Sequence, residues 1–437
     1  MTISRRYRLQ ICLVVALGLI VRLGYLLVVR RHAAFFGDPE FYFSQAKLIS
    51  HGKGFIVPSR YVANGSISPS ADHPPLFSYV LATLDRLGIT TRTGQAIVQC
   101  FVGCVSIVLV IHLANRVVSP RAALLAGLMA ALSPNIFYFD GYLLSETWST
   151  LLILVSIAAL FRLLDQRSLA RAAMLGIAIG ITSLARAEFL SAAPLVVVYL
   201  FFLGRKTAHL KQTILHASVM TAMVLAVVGP WMAYQAQRFE HLVGVSANFQ
   251  FALPISNCDS VYYGENAGYW DVDCLLPLVT QAQVEGVDES VLASRATSQA
   301  RDYIKQNTRR ALVLPFIRVG RMLGIYKPLQ QVRFDIVPES REPALAYSGL
   351  LVWYPSIALA AAGCLSLRRA RKPIVPFLIA GVVAIFATAV TYGSFRFRAG
   401  FEPFVCILAT VGFTRILQIA REIKAGSLPT TTSYRSL

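Results

Sequence analysis

The chain runs to 437 residues, 56% of them hydrophobic and 14% charged, with a mean hydropathy of +0.58. Soluble domains average about 45–50% apolar and about 25% charged, so a cytosolic enzyme, a disordered chain, a coiled coil and a small disulfide-stapled domain are all excluded. Forty-one Lys and Arg against 22 Asp and Glu leave a formal charge of +19; these charges fall between apolar runs, as topology signals and anionic-headgroup contacts do, so nucleic acid is not an expected partner.

A membrane span needs about 20 mostly apolar residues. Runs of this kind occur at Leu9–Val29, Gln95–Ala114, Ala122–Phe139, Leu143–Leu164, Ala170–Leu184, Phe189–Leu203, Ile214–Tyr234, Tyr347–Leu367, Ile374–Tyr392 and Phe401–Leu417. They predict an all-α polytopic membrane protein of about ten spans. The first run follows Arg5, Arg6 and Arg8 but is too long for a signal peptide, contains Arg22 and lacks a cleavage site. It reads as an uncleaved anchor with its N-terminus inside. Leu76–Leu87 is too short to cross and reads as a re-entrant or interfacial helix.

With the N-terminus inside, nineteen Lys and Arg fall in inside segments, from Arg5 to Lys424 and Arg435, while the three short outside turns hold only Arg186, Arg396 and Arg398. Cytoplasmic segments carry such an excess. The expected location is a bacterial plasma membrane, with both termini cytoplasmic and the active site extracytoplasmic.

Two outside loops are too long to be simple connectors. The expected organisation is therefore an N-terminal membrane region, 1–234, with a catalytic first loop at 30–94, then an extracytoplasmic loop region, 235–344, of mixed strand-like and helical pieces. A C-terminal membrane region and cytoplasmic tail, 345–437, completes it. Cys12, Cys100, Cys104, Cys364 and Cys406 lie in apolar runs and read as small buried hydrophobes. Cys258 and Cys274 share the second loop, where a disulfide is expected and zinc is the alternative. The stretch Ser294–Ile325 sets Arg301, Lys305, Arg309, Arg310, Arg318 and Arg321 among apolar residues, as in one interfacial amphipathic helix.

Several polar groups gather on the outside face. Asp38 lies between Gly37 and Pro39 and is either a helix N-cap or a carboxylate placed to take a proton from a substrate hydroxyl. Glu40 assists it or is simply solvated. His73, before Pro74 and Pro75, is a loop hydrogen-bonding group or a substrate contact. Glu146 opens the fourth span, Arg186 and Glu188 form a tight turn, and Arg396 and Arg398 precede the last span. Ionisable groups near apolar depth are costly and point to function, and guanidinium groups bind phosphate through paired hydrogen bonds. Snorkelling to headgroups is the alternative for each Arg.

At these residues the chain resembles the GT-C glycosyltransferases, in the branch of protein O-mannosyltransferases, lipid A aminoarabinose transferases and Rgt-type transferases. The resemblance rests on Gly37-Asp38-Pro39-Glu40 with Tyr42, His73-Pro74-Pro75, Leu144-Ser145-Glu146-Thr147, the Arg186–Glu188 turn and Arg396-Phe397-Arg398. Asn257-Cys258-Asp259 through Trp270-Asp271 and Cys274, and Arg318-Val319-Gly320-Arg321 before Tyr326-Lys327-Pro328, resemble outside loops of actinobacterial-type members. The resemblance implies a GT-C-like transmembrane bundle that takes a polyprenyl-phosphate-linked sugar donor to a glycan, lipid or protein acceptor. It makes Asp38 the carboxylate that activates the acceptor. Glu40, His73, Glu146, Arg186, Glu188, Arg396 and Arg398 become substrate-binding residues.

Transfer from a lipid phosphate requires the leaving phosphate to be neutralised, which preorganised arginines can do. No cluster of His and acids shows metal-ligand spacing, so no obligatory metal or other cofactor is expected. A secondary transporter is one rival reading, but the chain shows no internal repeat and its ionisable groups sit at one face. A non-catalytic envelope-assembly protein and an O-antigen-type ligase or polymerase are the others.

Overall fold

The computed structural model describes residues 4–32, 35–206, 210–338 and 340–425; Arg435 and the end of the tail lie outside them. Helices make up nearly all of the described structure. The strand-like pieces expected in the second loop are absent among the described residues, where the one β contact is an isolated bridge between Ile56 and Pro69.

Among the described residues, seven helices are long and apolar enough to cross a membrane: Arg5–Val29, Arg92–Ala114, Glu146–Asp165, Ala187–Arg205, Leu210–Ala236, Pro343–Arg369 and Glu402–Lys424. Pro120–Leu132 and Pro134–Asp140 form a pair bent by 57°, because Pro134 cannot donate into the preceding turn. The remaining expected spans are the shorter apolar helices Leu169–Ala185 and Val375–Val390.

Glycines set the closest crossings. A Cβ on Gly363 would lie 2.0 Å from the Leu408 carbonyl oxygen, and one on Gly412 would lie 2.0 Å from that of Leu359. Pro343–Arg369 and Glu402–Lys424 thus meet backbone to backbone, as small residues allow in lipid. This crossing fixes the last span and, through it, the 393–401 turn at its N-terminal end.

An ion pair locks the first span. Arg22, fully buried, donates through Nε to Asp140 Oδ2 at 2.6 Å and through Nη1 to the carbonyls of Gly18 (3.1 Å) and Ala131 (3.0 Å). Thr147 Oγ1 donates to the other Asp140 oxygen at 2.8 Å. A charge inside an apolar helix needs such a partner, and this one ties the first span to the turn that precedes Glu146.

The second loop region folds into short helices held by a disulfide between Cys258 and Cys274, with Cα atoms 6.4 Å apart. The single helix expected over 294–325 is instead two, Glu289–Gln306 and Thr308–Met322, separated at Asn307. Arg318 and Arg321 do not face headgroups. Both are buried: Arg318 donates to the carbonyls of Ser256 and Ala389, and Arg321 to those of Ala267 (2.6 Å) and Glu265 (2.9 Å). They tie the disulfide loop to the helices that pack on it through these backbone carbonyls. Of the remaining cysteines, Cys100, Cys104 and Cys406 are buried, whereas Cys12 is exposed on the first helix.

Candidate active site

Gly37, at φ 69°, turns the chain into the helix Asp38–Ser50. That conformation suits glycine. No side chain caps this helix, and Pro39 falls within its first turn. The Asp38 carboxylate is therefore not spent on the backbone. One oxygen accepts from Arg396 Nη1 at 2.6 Å and the other lies 3.5 Å from His73 Nε2.

His73 ends the loop just before Pro74 and Pro75 start the helix Pro75–Arg86. Its ring stacks on Phe41 at 4.7 Å and meets the edge of Tyr42 at 4.7 Å. Asp72 Oδ2 lies 3.2 Å from Nδ1. Burial alone lowers the His73 pKa; Tyr42 and the carboxylates of Asp72 and Asp38 outweigh it and raise it well above the ordinary value. For Asp38, burial raises the pKa, and Arg396 and His73 together overcome it, holding the carboxyl well below the usual range. The pair is an ionised carboxylate against an imidazolium.

Glu146 opens its span fully buried. Its Oε1 accepts from Arg186 Nη1 at 2.7 Å and also from Arg396 Nε. Arg186 follows the helix Leu169–Ala185 in extended conformation and donates through Nε to Glu188 Oε1 at 2.5 Å. The result is a continuous relay: His73, Asp38, Arg396, Glu146, Arg186, Glu188. The ends of separate helices and the turns beside them supply it, and Asp38 remains about a third exposed, at 35%.

Arg396 sits on the short 3-10 turn Phe395–Arg398. Asp335, which is buried, holds that turn by accepting from the Phe395 backbone N–H (3.2 Å), Ser394 Oγ (3.3 Å) and Gln331 Nε2 (2.9 Å). Burial pushes the Asp335 carboxyl up to about 6. Sequence reading missed Asp335 and the Arg22–Asp140 pair. An arginine inside an apolar run signals the second, because it demands an acid somewhere in the bundle.

Two expected site residues lie outside the relay. Glu40 is two positions beyond Asp38, about 200° around the helix. It accepts from Arg92 Nη2 at 2.9 Å and Ser44 Oγ at 3.0 Å. Arg398 is two positions beyond Arg396, about 240° around a 3-10 turn. It is buried against Trp353 and Phe395, with Glu402 3.3 Å away, and its desolvation lowers its pKa to about 10. Neither reaches the relay, because the local helix geometry turns it elsewhere. No group of three or more His, Cys, Asp or Glu able to hold a metal occurs among the described residues.

Residues 72–234 match the family model described as dolichyl-phosphate-mannose-protein mannosyltransferase, a stretch that includes His73, Glu146, Arg186 and Glu188. No curated protein sequence matches the chain. Among solved structures it is similar to the archaeal oligosaccharyltransferase AglB from Archaeoglobus fulgidus in complex with an inhibitory peptide and a dolichol-phosphate, at 15% identity and a TM-score of 0.55 over 99% of this chain and 54% of that one. The same enzyme tethered to an acceptor peptide gives 16% identity and 0.53, covering 98% and 52%. ArnT from Cupriavidus metallidurans bound to undecaprenyl phosphate gives 14% and 0.46, covering 98% and 82%. The chain spans about half the length of the oligosaccharyltransferase chains it matches. It has the GT-C glycosyltransferase fold, an all-α membrane bundle, and over residues 72–234 it carries the sequence pattern of the protein-mannosyltransferase family.

Proposed function

We propose that the chain moves a sugar from a polyprenyl-phosphate-linked donor to an acceptor hydroxyl at the extracytoplasmic face of the membrane. The observation that carries this reading is the bond from Arg396 Nη1 to Asp38 Oδ2 at 2.6 Å, which puts a proton acceptor beside a phosphate-binding cation. The family model and the dolichol-phosphate of the AglB structure support the donor class.

The acceptor oxygen forms the new bond to the anomeric carbon while its proton passes to an Asp38 oxygen. The bond from that carbon to the phosphate oxygen breaks, and its electron pair stays on the phosphate. Arg186 and Arg396 stabilise the charge that collects there, as preorganised cations do. While Arg396 faces Asp38 the carboxylate is a weak base. A phosphate that draws the guanidinium's charge raises its basicity toward the range that general bases use. His73 orients Asp38, and Glu146 and Glu188 hold the two arginines. Glu40 and Arg398 act at one remove, bracing the first outside helix and the last outside turn.

The reading assigns residues 1–234 and 345–437 to the membrane scaffold and 235–344 to an extracytoplasmic region, with both termini cytoplasmic. Mass spectrometry of envelope glycans and glycolipids with and without the gene tests it. A mass difference of one sugar residue is expected. Identical profiles, with the protein expressed in the reference strain, contradict it.

A further inference from the structure

Asp335 is buried in the last turn of the helix Pro328–Ile336. Two features make that a costly place for a carboxylate. The helix dipole disfavours an anion at its C-terminal end, and a buried charge needs partners. The partners of Asp335 are neutral. Oδ2 accepts from the Phe395 backbone N–H (3.2 Å), and Oδ1 accepts from Gln331 Nε2 (2.9 Å), Ser394 Oγ (3.3 Å) and, more weakly, Tyr269 OH (3.5 Å). The cations that face it are engaged elsewhere. Arg321 donates to the Ala267 and Glu265 carbonyls, Arg341 donates to Asn135 Oδ1 at 3.1 Å, and Arg398 faces Glu402.

Four donors thus converge on one side chain, and the ionised carboxylate is the form with no donor of its own. A protonated Asp, or an Asn, brings a donor into that ring. The negative charge is therefore part of how the Arg396 turn is built. Ser394 Oγ in turn accepts from the Arg396 backbone N–H at 3.2 Å. Two hydrogen bonds link Asp335 to the residue that meets Asp38 and Glu146.

We propose that Asp335 is a positioning residue for the lipid-linked donor, its carboxylate setting the turn that aims Arg396 at the phosphate. The inference rests on the glycosyl-transfer reading and adds to it a residue that touches no substrate. Burial pushes the Asp335 carboxyl up to about 6, against the pull of Arg341, Arg398 and the hydrogen bonds. Acidification through that value removes the charge, loosens the turn and weakens donor binding.

The test measures binding of undecaprenyl phosphate to purified wild-type protein, Asp335→Asn and Arg396→Ala. Affinity is read from the lipid-dependent rise in unfolding temperature, at pH 7.5 and pH 5. Asn holds the uncharged state at every pH. At pH 5 only about a tenth of wild-type molecules keep Asp335 ionised. Asp335→Asn should therefore bind about ten-fold more weakly than wild type at pH 7.5, with the deficit closing at pH 5. The lipid phosphate itself titrates near pH 6, but alike for every variant, so the ratio of affinities is the readout. Equal affinity at pH 7.5 overturns the role. So does a deficit of the same size at both pH values, which is what a merely structural group gives. Should Asp335→Asn not fold, Ser394→Ala takes its place. Its affinity at pH 7.5 should fall about five-fold, the effect of one neutral hydrogen bond, and wild-type affinity overturns the role. Equal stabilisation of wild type and Arg396→Ala instead overturns the donor-phosphate reading, and the positioning role falls with it.

Discussion

Asp38 and Arg396 lie 358 positions apart in sequence and meet through a 2.6 Å hydrogen bond, one at the start of the helix Asp38–Ser50 and the other just before the last span. The same guanidinium also bonds Glu146. Arg396 is therefore the hinge of the relay: it divides its charge between an accessible carboxylate and a buried one, and on the proposed reading the donor phosphate competes with both.

This two-sided role predicts that lysine cannot replace it. An ammonium is a compact point charge without the planar fork. Arg396→Lys is expected to lower donor-dependent transfer by about ten-fold or more, with Arg396→Ala lower still, at unchanged membrane insertion. Transfer assays in isolated membranes across a donor titration check this, and unchanged donor dependence counts against the phosphate role.

The Asp38–His73 pair predicts an asymmetric response to pH. The folded His73 pKa is raised above its ordinary 6.5, so its stabilising contribution is complete below 6.5 and fades as pH rises through the folded value. The Asp38 pKa is held below its ordinary 3.8, so that contribution is present above 3.8 and fades only as pH falls through the lowered value. The wild-type unfolding temperature should decline on the alkaline side of 6.5 more steeply than that of His73→Gln. Parallel curves argue that His73 is not charged in the folded protein.

The helix crossing beneath the Arg396 turn predicts a stability defect. At Gly412 an added side chain meets a backbone carbonyl rather than a flexible tip, and overpacking of this kind costs about 1–3 kcal/mol or more. Gly412→Val should lower both the yield of folded protein and its unfolding temperature. Gly244→Ala, where a Cβ meets nothing within 4 Å, serves as the neutral comparison.

Closing the Cys258–Cys274 loop is worth about 3 kcal/mol in the chain-entropy model. The double Cys→Ser variant should unfold at lower temperature while keeping transfer at 25 °C, since the loop stays tied to the turn before Arg396 through the bond from Gly393 N–H to the Gly268 carbonyl (2.8 Å) and to Arg321 through Ala267, neither of which needs the disulfide. Loss of transfer at full thermal stability would show that this loop belongs to the site.

The apolar runs and the ions that fall between them were legible because hydropathy and charge are one-dimensional signals. Asp38, His73, Glu146, Arg186, Glu188 and Arg396 could be placed on one face that way. Their pairing could not, because it depends on how helices distant in sequence dock. Glu40 and Arg398 looked equivalent to their neighbours two positions away, and only the local phase of an α-helix and a 3-10 turn separates them. Arg318 and Arg321 carried the pattern of a headgroup-facing stripe. Their burial goes with the bonds they donate to backbone carbonyls some fifty to sixty residues earlier. Asp335 looked like any loop acid, since its partners at the Arg396 turn are a backbone N–H and a hydroxyl beyond the next two apolar helices.

The central claim is that an outward-facing carboxylate beside a guanidinium pair performs glycosyl transfer. Its most direct test is the rate of sugar transfer in isolated membranes for Asp38→Asn against wild type, at equal amounts of inserted, folded protein. A general base contributes about 10²–10⁴-fold, so the account predicts a drop of at least about a hundred-fold. Transfer at the wild-type rate would contradict it.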